Sequence, residues 1–398
     1  MNIGIIREGK VPVDHRVAFT PTHCQQILKD YPQIKLFIQP STIRCYADEE
    51  YQKVGVVLQE DLANCSVLFG VKEVPIPNLM NDKTYFFFSH TIKKQPYNKT
   101  LLQEILAKNI NLVDYECLTN DKGQRIVAFG RYAGIVGAYN GILTYGKRFQ
   151  SFDLKPANQC FDMYEMWSEF SKVKLPAIKI ALTGGGRVSK GAMEVLDAMK
   201  IKKVSPSQFL TKTFDQAVYT QLETEHYNVH KEGKPFDVKY FYQNPINYKS
   251  TFLPYTKVTD VFIAGAYWDP KAPVLFTKEE MKISDFRIKV IADITCDIEG
   301  SVPSTLKATT IDNPYFDYNP IIEKEEIPFS SEKNITVMSV DNLPCELSRD
   351  ASISFGNQLL ENVFAELVSN EQSVIDRAMI TKKGSLTNKY NYLSDYVE

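Results

Sequence analysis

The sequence predicts an α/β protein of two Rossmann-like domains, their parallel sheets separated by a cleft. Three observations carry that expectation. Short apolar runs alternate with helical periodicity along most of the chain, the rhythm of β-α-β units. One apolar run, residues 178–182, leads at once into Gly184-Gly185-Gly186 and then into an amphipathic stretch from Gly191. At 398 residues the chain is long enough to bury two separate cores.

Strand, glycine turn and helix, in that order, are what a dinucleotide-binding unit needs. Gly184 permits the tight turn, Gly186 lets the backbone approach a pyrophosphate, and the helix N-terminus offers free N–H groups to the anion. The same triplet also suits a plain glycine-rich connection, so the flanking strand and helix give it its weight. An acid about 20 residues further on commonly accepts from the ribose of NAD. Here the second strand is expected to end at residues 202–207, which hold Lys202, Lys203, Ser205 and Ser207 but no carboxylate. With Arg187 these suit a 2′-phosphate, so NADP is expected ahead of NAD, unless both lysines simply face solvent.

In chain order, residues 2–6, 35–38, 67–71, 84–88 and 111–115 read as strands. Thr20 and Pro21 open a helix as N-cap and first residue, and residues 48–54 and 98–108 read as further helices. This first domain lacks a glycine fingerprint and is assigned to substrate. Residues 131–148 form a small-residue-rich helical crossover, and 151–176 an irregular aromatic lead-in. Residues 205–257, rich in Tyr, Phe and Lys, read as an insert. Strands resume near 260–268, 289–294 and 334–340, and a helix starts at about Pro344. The expected domains are 1–130 with 335–398, and 131–334.

Composition excludes several classes. Hydrophobic residues make up 44% and charged residues 24%, ordinary for a globular protein, and the net charge of −2 points to neither nucleic acid nor an anionic membrane. Seven scattered cysteines without a C-x-x-C suit a reducing compartment. No secretory leader is expected ahead of the first strand, and the apolar stretch 132–145 is too short to span a bilayer. A soluble, cytoplasmic protein is the expectation. His226 and His230 are four apart but lack the H-E-x-x-H pattern, so no metal site is expected.

Candidate chemistry gathers where the strands of the first domain end. Lys72 and Glu73 follow one strand, His90 and Lys93 the next, Asp114 and Glu116 a third, with Arg125 soon after. Neighbouring strands bring such ends to one edge, where titratable groups shift one another's pKa values. Arg16 lies in a polar loop before the first helix, placed to grip a carboxylate bidentately.

These residues carry a resemblance. The runs Arg16-Val17-Ala18-Phe19-Thr20-Pro21, Gly70-Val71-Lys72-Glu73, Ser89-His90-Thr91-Ile92-Lys93 and Tyr132-Ala133-Gly134 look like the alanine dehydrogenase, transhydrogenase and saccharopine dehydrogenase superfamily. Within it, nearly the whole chain is most similar to the lysine–2-oxoglutarate reductase portion of the bifunctional lysine-degradation enzyme. Gly186-Arg187-Val188-Ser189-Lys190-Gly191, Gly265-Ala266-Tyr267-Trp268 and Asp341-Asn342-Leu343-Pro344 share in that match. The resemblance implies Lys72 and His90 as an acid–base pair, and Arg16 and Arg125 as carboxylate-binding groups. Glu73, Lys93 and Glu116 are their implied neighbours. For the cofactor it implies Gly184, Gly186, Arg187, Val188, Ser189, Ser205, Gly265, Tyr267 and Asp341. The implied reaction interconverts saccharopine and NAD(P)+ with L-lysine, 2-oxoglutarate and NAD(P)H. The reductase is expected to stand alone, as a homo-oligomer or monomer, without a saccharopine-oxidising half. Two alternatives remain at this stage: reductive amination of a small oxo acid with ammonia, and a catalytically silent nucleotide-binding regulator.

Overall fold

A computed structural model describes residues 1–369 and 373–398. The chain divides into two compact units, Met1–Phe129 with Ser348–Glu398, and Gly130–Leu347.

The first unit is built on six parallel strands: β1 (Asn2–Ile5), β2 (Lys35–Ile38), β3 (Val57–Leu58), β4 (Val67–Phe69), β5 (Thr84–Phe87) and β6 (Asn111–Asp114). They are short because each carries only the apolar run that the layer of helices can cover, and apart from the edge strand β3 their central residues are buried as a parallel sheet requires. Phe69 stacks on Phe86 with ring centroids 4.5 Å apart, and Phe19 meets Phe69 edge-on at 4.9 Å. The helix Pro21–Asp30 begins at Thr20, whose hydroxyl accepts the His23 N–H, with proline in its first turn. The C-terminal segment returns to this unit, where Phe355 stacks on Phe129 at 4.3 Å and Ser352 accepts the Val17 N–H.

The second unit holds β7 (Lys179–Thr183), β8 (Lys202–Lys203), β9 (Val218–Leu222), β10 (Asn228–His230), β11 (Tyr248–Ser250), β12 (Val261–Ala264), β13 (Val290–Asp293), β14 (Tyr315–Asn319), β15 (Lys324–Glu326) and β16 (Ile335–Met338). Its main sheet runs β15-β14-β16-β13-β12-β7-β9-β8, and β10 pairs with β11 apart from it. The remaining strands, β17 (Met379–Lys382) and β18 (Ser385–Leu386), extend the first unit's sheet antiparallel beyond β6. The first sheet therefore reads β18-β17-β6-β5-β4-β1-β2-β3.

The long helix Gly130–Phe149 crosses the helix Arg187–Ala198 in backbone contact. A Cβ on Gly134 would lie 1.8 Å from the Val188 carbonyl oxygen, and one on Gly191 2.0 Å from that of Arg131. The small residues of this helix are thus a packing requirement of the nucleotide unit.

Three expectations are corrected. The strand beside β7 is β9, not the 202–207 stretch; β8 has only two residues and occupies the sheet edge. Ser205 caps the helix Pro206–Thr211, which ends β8 and lets the chain come back to lay Val218–Leu222 between β8 and β7. Residues 205–257 are therefore not wholly an insert. The return to the first unit comes at Ser348 instead of 335, because the buried run Ile335–Met338 pairs in parallel with β13 and completes the second sheet. Gly130 likewise goes with the second unit, as the first residue of the long helix. Among the described residues no helix is long and apolar enough to cross a membrane.

Candidate active site

In the first sheet β6, β5, β4 and β1 are neighbours in that order, so the residues following them share one edge. Ligands of open α/β sheets gather at this carboxyl edge. The turn after β1 supplies Glu8, whose carboxylate accepts the backbone N–H groups of Val71 at 2.7 Å and Lys72 at 2.8 Å. Burial, reinforced by the nearby Asp14, pushes its pKa up to about 8 despite those two bonds. Glu8 thereby fixes the segment that carries Lys72.

The Lys72 amine has its pKa lowered, first by burial and then by the Arg16 guanidinium. Its sequence neighbour Glu73 faces three donors. His90 Nδ1 lies 2.7 Å from Oε1, Lys10 Nζ 2.7 Å from Oε2, and Asn98 Nδ2 3.4 Å from Oε1. Burial would raise the Glu73 pKa, but the bonds and charge of His90 and Lys10 outweigh it and hold the group at about 2. An ionised carboxylate only accepts, so the proton between Glu73 and His90 sits on Nδ1, and Nε2 is left to exchange protons. His90 holds φ at 51°, in the left-handed region that non-glycine residues seldom occupy. Its neighbours secure that turn. Ser89 donates its N–H to Asp114 Oδ2 at 2.9 Å, and Asn98 donates to the Ser89 carbonyl at 2.9 Å.

The two arginines differ. Arg16 is 2% exposed and forks onto Asp14, with Nε 2.9 Å from Oδ1 and Nη2 2.5 Å from Oδ2, while its guanidinium lies 4.1 Å from the Phe129 ring centre. Its expected grip on a substrate carboxylate thus competes with an internal partner. Arg125 is half-buried, stands 3.6 Å from Glu116 and lies over Phe88. Lys93 is exposed beyond His90. Glu8, Lys10, Asp14 and Asn98 were not picked out from the sequence. Glu8 follows a buried strand just as Glu73 does, and that signal was there to be read; Asn98 stands at the start of the helix Lys99–Ala107, where its sequence position marks only a helix end.

In the second unit the glycine turn is shaped for an anion. Gly184 has φ +104°, and a Cβ there would lie 2.5 Å from Ser189 Oγ and 3.0 Å from the Gly265 carbonyl. A Cβ on Gly186 would meet nothing within 4 Å, so that face is open to a ligand. Arg187 is exposed and opens the helix Arg187–Ala198, whose first N–H groups face the turn's mouth. Ser189 donates to the Thr183 carbonyl at 2.9 Å and Gly265 N–H to Thr183 Oγ1 at 3.3 Å, which ties β7 to the residue after β12. A pyrophosphate fits this cradle. Val188 packs beside Gly265, Tyr267 is 75% exposed, and Ser205 caps the helix Pro206–Thr211. Asp341 is exposed after β16, its N–H donating to the Thr309 carbonyl at 3.2 Å. Among the described residues no cluster of His, Cys, Asp and Glu is placed to hold a metal ion.

The chain is similar to several known proteins. Residues 4–136 match the family model of the alanine dehydrogenase/PNT N-terminal domain. Alpha-aminoadipic semialdehyde synthase, mitochondrial, of Mus musculus is 32% identical over 97% of this chain and 47% of its own length. The Arabidopsis thaliana alpha-aminoadipic semialdehyde synthase is 29% identical over 98% of the chain and 41% of its own. The chain therefore spans about half the length of these relatives. Saccharopine dehydrogenase [NAD(+), L-lysine-forming] of Yarrowia lipolytica is 25% identical over 90% of each chain. Among solved structures, an L-alanine dehydrogenase superposes with a TM-score of 0.67 at 14% identity, covering 100% of both chains, and shares the fold. A transhydrogenase from Sinorhizobium meliloti does so with a TM-score of 0.59 at 13% identity, covering 97% of this chain and 100% of its own.

Proposed function

We propose that this chain is an NAD(P)-dependent oxidoreductase that interconverts saccharopine with L-lysine and 2-oxoglutarate. The observation that carries the reading is the Lys72–Glu73–His90 cluster at the carboxyl edge of a sheet, in a chain with alpha-aminoadipic semialdehyde synthase and lysine-forming saccharopine dehydrogenase as homologues. When bound at the glycine turn, the dinucleotide supplies or accepts the hydride. The rest of the chemistry is proton handling. Condensing an amine with a keto group and expelling water requires a group that takes a proton and later returns one. His90 suits that role through Nε2, its tautomer fixed by Glu73. Lys72, with its depressed pKa, is a second base near the same edge.

The substrates carry carboxylates, and Arg125 with Lys93 offers positive charge to receive them. In this reading Arg16 acts chiefly through Lys72, whose ammonium form it disfavours, and Asp14 keeps that arginine in place. Glu116 orients Arg125. The free thiols support a reducing compartment such as the cytoplasm.

The test is oxidation of NADH or NADPH by the purified chain with lysine plus 2-oxoglutarate, set against pyruvate plus ammonia. Turnover with the first pair, and saccharopine as product, is expected. Turnover only with the second pair would replace this reading with an alanine-dehydrogenase-like amination, and none with either would favour a silent binding protein.

A further inference from the structure

The main sheet of the second unit has another edge, opposite the glycine turn, where its parallel strands begin. β7 starts at Lys179, β12 follows Asp260 and β13 follows Lys289, and the three lie side by side. A cavity of about 180 Å³ opens at this edge, lined by Lys179, Lys257 and Arg287 with a single carboxylate, Asp260. Thr213 and Phe214, from the turn ahead of β9, complete one wall.

Both oxygens of that carboxylate are already engaged. Asp260 Oδ2 accepts the Lys179 N–H at 2.9 Å, and Oδ1 accepts from Arg287 Nε at 2.7 Å. Lys257 pairs at 2.8 Å with Asp285, which lies outside the lining. Two cations keep donors to spare. Lys179 Nζ donates to the Phe209 carbonyl at 2.5 Å and lies 5.4 and 5.6 Å from the ring centres of Phe209 and Phe214. Among the described residues no carboxylate forms an ion pair with it, and the Nη groups of Arg287 make no hydrogen bond. The two cations also stand in each other's field. Burial first, and then the Arg287 charge, holds the Lys179 pKa below its ordinary value, more than Asp260 restores. A cleft lined mainly by one sign of charge concentrates counter-ions, and a guanidinium fork beside an ammonium is a donor set that oxyanions take.

We infer that this edge binds a small inorganic oxyanion of the phosphate kind, held between the Lys179 ammonium and the Nη face of Arg287. A phosphate suits the pair better than a carboxylate, because near neutral pH it approaches two negative charges and offers an acceptor to each cation. Lys179 opens β7 and Arg287 stands just before β13, so the anion ties together the starts of two strands that β12 separates. Binding to the folded state alone then stabilises the second unit by mass action. The inference stands apart from the saccharopine reading, since none of these residues belongs to the cluster at the first sheet's edge or to the glycine turn.

The experiment is calorimetric titration of inorganic phosphate into the full chain, in chloride buffer of fixed ionic strength, with NADH saturating to keep phosphate from the glycine turn. Phosphate is expected to bind at a single site, and acetate more weakly. Lys179→Met and Arg287→Gln, the second still able to donate to Asp260, should each weaken phosphate about tenfold or more. Lys179→Arg keeps the charge and should hold affinity within a few-fold. Phosphate should also raise the thermal midpoint of the unmutated chain more than that of Arg287→Gln at the same ionic strength. No phosphate uptake at millimolar concentration would overturn the inference, as would uptake that both neutral variants leave unchanged, or acetate bound as tightly as phosphate. If Lys179→Met does not fold, Arg287→Gln and Lys179→Arg decide. Failure of NADH to bind would reject the dinucleotide reading alone, because the variants still locate the phosphate at the opposite edge of the sheet.

Discussion

A carboxylate held at about 2 stays ionised at every pH the protein meets, so Glu73 fixes one tautomer of His90. Replacing it by Gln keeps the shape but lets an amide donate towards Nδ1, which favours the wrong tautomer. Glu73→Gln is expected to lower turnover on the order of 10²–10³-fold with dinucleotide affinity nearly unchanged. Steady-state turnover measured beside a dinucleotide titration checks that split. His90→Gln and Lys72→Met remove the proton carriers themselves and should each cost roughly 10²–10⁴-fold in turnover. Near-normal turnover in both variants would mean that the acid and base lie elsewhere. Arg125→Ala should behave differently, chiefly raising the apparent KM for 2-oxoglutarate, because a carboxylate clamp acts in ground and transition states alike.

At the scale of elements, the crossing of the helices Gly130–Phe149 and Arg187–Ala198 is where one methyl group has the largest consequence. At Gly134 the obstacle is backbone, so the helices must part instead of a side chain turning aside. Gly134→Ala is expected to destabilise the second unit by ~3 kcal/mol or more, read by urea denaturation. Gly186→Ala meets no atom and should spare stability while weakening dinucleotide binding. The glycine turn was legible in the sequence because strand, turn and helix are contiguous there. The site at the first sheet's edge was legible for the same local reason, each candidate falling just after an apolar run. β9 was not, since Val218–Leu222 mixes apolar with polar residues inside a tyrosine-rich stretch, and only pairing with β7 reveals its place. Arg16 was expected to grip a substrate carboxylate, and Asp14, two residues earlier, gave no sign that both its own oxygens would close on the guanidinium.

Stability against pH belongs to the whole molecule, because each unit buries carboxyls with raised pKa values, Asp114 and Asp293 among them. Glu8 in the first unit and Glu346 in the second both stand near 8, each mainly through burial. Asn140 donates to Glu346 at 2.8 Å, which opposes the shift without cancelling it. Below an ordinary glutamate pKa, about 4.3, both groups are protonated folded or unfolded and cost nothing. Between there and 8 the unfolded chain ionises while the folded one keeps its protons, so the folded state binds more protons and stability falls as pH rises. Glu73 runs the other way. Its depressed pKa stabilises the fold above about 4.3, and that contribution is lost as pH drops towards 2. The midpoint of thermal unfolding should therefore peak in mildly acidic buffer and decline through pH 8. Glu346→Gln keeps a neutral, hydrogen-bonding side chain of the same shape and removes one ionisation. It is expected to match the unmutated chain at pH 5 and to melt a few degrees higher at pH 8, by calorimetry across that range. A variant equally displaced at both pH values would show that Glu346 is ionised in the folded protein, and that Asn140 outweighs burial there.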